Sequence, residues 1–256
     1  MGRPWRFSCN ENGAFPTLIA ITGMFFSGGR LLGGQLGAAC ILAGMVLGSV
    51  ALTFLSSRLL SATVLRGEAS SFLLELPPYR RPQIGKVLLR SMLDRTLFVL
   101  GRATAVAAPA GLVLWLLTHI TTGGQSLLYW CAAALEAPGR ALGLDGAILL
   151  AFVLGLPANE LVLPIMLMLY TGAAGMLPVG DLQAVKVLLL AHGWTLKTAI
   201  CTALFMQFHW PCSTTLLTIY RETGRWKWVW VATPLPLLFG AGLCLLVNAA
   251  AGLLGL

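Results

Sequence analysis

The stretch FVLGLPANELVLPIMLMLY, Phe152 to Tyr170, decides how this chain is read. Its length is close to the roughly 20 apolar residues that cross a bilayer core. Yet Pro157 and Pro164 interrupt it, and Asn159 and Glu160 stand between them. Proline has no N–H, so the carbonyl four residues earlier loses its helical partner. By that arithmetic Pro157 frees the carbonyl of Val153 and Pro164 frees that of Glu160. In hydrocarbon an orphaned carbonyl is costly, so broken helices persist where they line a polar cavity or bind something. A carboxylate at that depth is also expensive, and marks function more often than structure. The stretch therefore predicts two half-helices meeting at a polar point.

Composition sets the surroundings. Hydrophobic residues make up 57% of the 256 and charged residues 10%, with a mean hydropathy of +0.84. That excludes a soluble globular domain and predicts an all-α, polytopic membrane helical bundle with discontinuous helices. The net charge of +8 is uneven: eight of the 17 basic residues lie between Arg58 and Arg102, and Arg221, Arg225 and Lys227 form a second group. Basic residues beside spans mark the cytoplasmic side. Apolar spans flank both groups, so the lipid bilayer is the expected partner and nucleic acid is not.

Working outward, Leu36 to Ser57 predicts a full span with small residues for close packing. Ala14 to Ser27 is apolar but too short to cross. Ile84 to Arg102 has helical amphipathic spacing and predicts an interfacial amphipathic helix. Ala103 to Ile120 predicts a span kinked at Pro109. Thr121 to Asp145, with Gly123, Gly124, Pro138 and Gly139, predicts an irregular connection around a short helix. GMLPVGDLQ predicts a loop. Val229 to Leu254 is the expected last span, with Trp226, Trp228 and Trp230 as an interfacial belt.

Thr195 to Tyr220 repeats the opening device. It is an apolar run broken at FHWPCS, where Pro211 frees the carbonyl of Gln207 beside His209 and Cys212. Each break thus gathers spare oxygens beside side chains able to hold a cation. Carboxylate, amide and carbonyl oxygens suit hard ions, thiolate and imidazole softer ones, and the mixed set suits first-row metals. Cys9, in RFSCNENGAFP, likewise precedes a short apolar half-span. The six cysteines form no CxxC pair, which argues against a zinc knuckle or a dithiol motif. A G-x-x-x-x-G-K-[ST] phosphate loop is absent from these residues, and no nucleophile, base and orienting group fall at a recognisable spacing. Catalysis is the least supported class.

LPANELVLPIMLMLY, ELPPYRRPQIGKVLLRSMLDRTLFVLGRA and QFHWPCSTTLLTIYRETGRWKW, in this order, resemble the membrane region of FeoB-type ferrous iron transporters. FSCNENGAFPTLIAITGMFF is similar to the latter part of that family's first gate, and PCSTT to its counterpart in the second. The resemblance implies Fe(II) as the transported ion, no permanently bound cofactor, and a multi-pass protein of a bacterial or archaeal plasma membrane. It also implies metal contacts at Cys9, Cys212 and Glu160, to which the residues themselves add Asn159 and His209, with the carbonyls of Val153 and Gln207 along the path. Residues 1–66 correspond to a partial first gate. Residues 67–140 correspond to the cytoplasmic connector, interfacial helix and a core span, and 141–256 to the core broken helix, second gate and last span. The family's GTP-binding domain and further helices are not among these 256 residues. A separate G domain, a small accessory iron-transport subunit and a second copy of the chain are therefore the protein partners implied.

Two other readings fit the same breaks. In a gate-fold transporter of an organic solute such as a nucleoside, Asn159 and Glu160 would hydrogen-bond the solute and the cysteines would be incidental. In a non-transporting membrane partner subunit, the breaks would be inherited without cargo. The donor types alone suit Fe(II), Mn(II) and Zn(II) alike.

Overall fold

The computed structural model describes residues 15–26, 34–63, 92–172 and 181–253, together with Gly85, Leu88 and Leu89. Cys9 and most of the basic stretch 58–102 lie outside the described residues. The described residues are helical almost throughout. In order come α1 (Phe15–Phe26), α2 (Gln35–Thr63), a π-helical turn (Met92–Leu97) and α3 (Phe98–His119). A β-hairpin follows, of β1 (Thr121–Thr122) and β2 (Gln125–Ser126), then α4 (Leu127–Ala134) and α5 (Glu136–Ala141). Next are α6 (Gly146–Leu154), a 3-10 turn (Asn159–Leu161) and α7 (Val162–Thr171). The remainder is α8 (Leu182–Ala191), α9 (Leu196–Phe208), α10 (Ser213–Thr223), α11 (Trp226–Ala232) and α12 (Pro234–Leu253).

Among the described residues two helices are long and apolar enough to cross a membrane, Leu36–Leu59 within α2 and Trp226–Leu253 through α11 and α12. The pair of α8 with α9 and α10 is apolar enough together to form a broken span or a re-entrant loop, and it turns through 114° between Ala191 and Leu196. The last crossing starts at Trp226, earlier than its hydropathy suggested, so its three tryptophans lie in its opening turns. Trp226 and Trp230 stay exposed, as interfacial rings do.

Elsewhere the elements differ from expectation for identifiable reasons. Within the stretch expected to be an interfacial helix, the π-helical turn Met92–Leu97 leads directly into α3 with no proline between them. The connection after α3 is ordered, with Gly123 and Gly124 at φ of 63° and 82°. Two consecutive residues at positive φ make the turn that matches hairpin twist. The helix α8 had no counterpart in the sequence reading. Asp181 starts it by accepting the Gln183 amide at 2.9 Å.

The core forms where α9 packs along α12, α6 against α7, and α1 against α2 and α9. Phe152 of α6 and Phe205 of α9 meet edge to face with centroids 4.8 Å apart, and Ile148, Met166, Leu189 and Cys244 are fully enclosed. The two broken elements begin alike. Gly143 and Gly193 take positive φ, Leu144 and Trp194 are buried, and Asp145 and Thr195 cap the helices that follow. The two caps accept the amides of Ile148 at 2.6 Å and Thr198 at 3.3 Å.

Candidate functional site

The first break occupies Gly155 to Ala158. Here the end of α6 tightens, so the Val153 carbonyl accepts the Leu156 amide at 3.3 Å, and the Gly155 carbonyl accepts the Ala158 amide at 3.0 Å. This corrects the expectation of a free Val153 carbonyl: a tighter turn supplied the donor that Pro157 lacks. Pro164 is not a second break. It sits in the first turn of α7, where a missing N–H leaves no bond unmade. Gly155 is fixed by close approach, since a Cβ there would lie 2.6 Å from Val162 Cγ2 and 2.9 Å from the Ala151 carbonyl.

The second break runs from His209 to Cys212, between α9 and α10. The two breaks touch. The Ser213 amide donates to the Leu156 carbonyl at 3.0 Å, and His209 Nε2 lies 3.0 Å from Asn159 Oδ1. His209 Nδ1 lies 2.9 Å from the Met206 carbonyl. Asn159, Gln207 and His209 are all buried, with at most 6% of their surface exposed. The ring of His209 also tilts against Phe152 at 5.3 Å. Two half-helix pairs therefore join end to end at one polar point in an apolar core.

Cys212 stands at the start of α10, half-buried, with its Sγ 2.9 Å from the Thr214 hydroxyl and 3.2 Å from that of Thr215. Glu160 is exposed, so of the Asn-Glu pair it is the amide that faces the second break. Among the described residues no three His, Cys, Asp or Glu side chains gather into a metal-binding group. Sequence reasoning missed Ser213, Trp210, Thr214 and Thr215. Trp210 Nε1 and Ser213 Oγ are buried without a hydrogen-bond partner among the described residues. The only signal for them was adjacency to Pro211.

Two family models match in succession: "Ferrous iron transport protein B C terminus" over residues 42–95 and a gate model described as "Nucleoside recognition" over residues 100–226. The Staphylococcus aureus (strain COL) protein named Fe(2+) transporter FeoB is 28% identical over 240 residues, covering 90% of this chain and 33% of that protein. The chain is FeoB-like. A Fe(2+) transport protein A/Fe(2+) transporter FeoB fusion protein of Porphyromonas gingivalis is 23% identical over 86% of the FeoB-like chain and 30% of its own length. Fe(2+) transporter FeoB of Methanocaldococcus jannaschii is 25% identical, covering 80% of this chain and 31% of that protein. The FeoB-like chain thus spans about a third of the length of the curated relatives it matches. No solved structure matches it. Both breaks fall inside the gate match, and the apolar spans make the chain an integral membrane protein.

Proposed function

We propose that this chain is the conducting part of an FeoB-type permease that passes ferrous iron into a bacterial or archaeal cytoplasm. The observation that carries the reading is the junction of the two breaks, through Ser213 to Leu156 and His209 to Asn159. Such a junction puts polar groups where a hydrated ion can exchange water for protein ligands. Cys9, Cys212, Glu160, Asn159 and His209 supply the mixed donors that suit a first-row divalent metal. In this arrangement the basic segments 58–102 and 221–227 face the cytoplasm of the inner membrane. A separate G domain and a small accessory subunit are the natural partners, in line with the two-part name of the Porphyromonas relative.

The gate model's description, nucleoside recognition, favours a second reading in which Asn159 and Glu160 hydrogen-bond an organic solute. Uptake into vesicles holding the purified chain, alone and with a G-domain protein, separates the two. Iron transport predicts Fe(II) uptake that nucleosides do not inhibit and that collapses in Cys212→Ser and Glu160→Ala. Normal Fe(II) uptake by both variants, equally well expressed, would refute it. Nucleoside uptake that needs Glu160 but neither cysteine would establish the rival.

A further inference from the structure

We propose that His209 carries a masked metal-binding nitrogen: its Nε2 is a lone pair covered by the Asn159 carboxamide, which gives way when a divalent cation enters the break. The cargo rests on the metal-transport reading above; the geometry does not. The Met206 carbonyl, 2.9 Å from Nδ1, can only accept, so Nδ1 bears the hydrogen. A neutral imidazole has one N–H, which leaves Nε2 as an acceptor. The atom 3.0 Å from Nε2 is Asn159 Oδ1, an acceptor facing an acceptor, so the carboxamide must be turned over to present its amide N–H to Nε2. A half-turn of the carboxamide exchanges its nearly isosteric oxygen and nitrogen.

The tautomer is the one that metal-ligating histidines use. A backbone carbonyl holding the far ring nitrogen fixes the ring's orientation and aims the other lone pair at the ion. Here that support is built before any ion arrives, on a ring packed against Phe152 and only 6% exposed. A bare acceptor in so dry a place is costly, and a neutral amide is a cover that a cation can displace. The neighbouring Ser213 Oγ, buried without a partner among the described residues, is a spare acceptor for one of the ion's remaining waters. Asn159, counted above among the donors, acts here instead as a cover that yields, and His209 is the first ligand met.

The test uses the whole chain in lipid nanodiscs with 15N-labelled histidine. His209 is assigned among the three histidines by loss of its signals in His209→Gln. Expected without metal is a protonated Nδ1 and a pyridine-type Nε2 at His209. Added Co(II) should perturb that Nε2 before either other histidine. Asn159→Ala should tighten Co(II) binding by about 3- to 10-fold, the weight of one uncharged hydrogen bond, and His209→Gln should weaken it. A protonated Nε2 in the unsubstituted protein overturns the proposal, as does Co(II) affinity in a folded Asn159→Ala that is unchanged or weaker. Metal binding as expected without Fe(II) uptake in vesicles would sink the transport reading and leave the masked nitrogen standing. Fe(II) uptake undiminished in His209→Gln would do the reverse.

Discussion

Trp194 donates its indole N–H to the Tyr170 hydroxyl at 2.8 Å, and that hydroxyl donates in turn to the carboxylate of Asp145. Asp145 caps α6, Tyr170 closes α7, and Trp194 precedes α9. One phenol therefore ties the first broken element, at both ends, to the start of the second. Tyr170→Phe strands a carboxylate oxygen and an indole N–H together. We expect a loss of about 1–3 kcal/mol, the cost of unpartnered buried polar groups, read as earlier thermal unfolding in detergent.

The second break is held from outside by α12. A Cβ on Gly240 would lie 2.9 Å from the Phe208 carbonyl and 3.1 Å from Phe208 Cβ. Gly240→Ala should therefore destabilise by about 1–3 kcal/mol, as overpacking does, and lower uptake by displacing Phe208 and His209 behind it. Gly242→Ala, on the same helix with open space around it, is the control. Its melting temperature should hold or rise.

At the first break, Gly155→Ala meets a side chain and a backbone carbonyl at once, Val162 Cγ2 and Ala151 O. Trimming Val162 to Ala removes one obstacle and leaves the other. The double variant should recover only part of the stability lost in Gly155→Ala, after allowance for the Val162→Ala change alone. A double-mutant cycle on melting data measures that coupling, expected at about 0.5–3 kcal/mol. Full recovery would mean that the carbonyl contact costs nothing.

Outside the membrane-crossing helices, Glu136 accepts the Gly146 amide at 2.8 Å and Arg140 Nε at 2.7 Å. These bonds, the backbone one foremost, hold its carboxyl below the usual glutamate range. The stabilisation from this group is thus complete above the unfolded value of about 4.3 and is lost as pH falls through the lower, folded value. Melting temperature should fall less steeply with acid below about pH 4 in Glu136→Gln than in the unsubstituted chain, compared in matched buffers.

Both breaks were legible because proline in an apolar run has few interpretations. The PAN and WPC tripeptides marked them to within a residue or two. What the breaks leave exposed was less legible. Proline arithmetic freed Val153, but a tightened turn took up its carbonyl, because a chain at a break can rearrange and an ideal helix cannot. Glu160, the more conspicuous residue in the sequence, is exposed, while Asn159 reaches across to a histidine 50 positions away. That pairing depends on the meeting of two elements, which no local pattern encodes. The helix α8 and the glycine hairpin were missed for a simpler reason: each is short, the hairpin lay within a stretch read as an irregular connection, and only the first two residues of α8 fell in a stretch read at all, GMLPVGDLQ, taken as a loop.

The half-helices on either side of the junction are short: 9 and 10 residues in α6 and α7, 13 and 11 in α9 and α10. At 1.5 Å per residue each runs about 14–20 Å, roughly half of a hydrocarbon core about 30 Å thick. If both broken elements cross the bilayer, these lengths put the junction near mid-membrane, where about half the transmembrane voltage would have been crossed. An ion of charge two drawn inward to that depth gains about 2.3 kcal/mol for each 100 mV. On the metal-transport reading, a divalent cation held at His209 at that depth would then be about fifty-fold more favoured at 100 mV than in a depolarised vesicle.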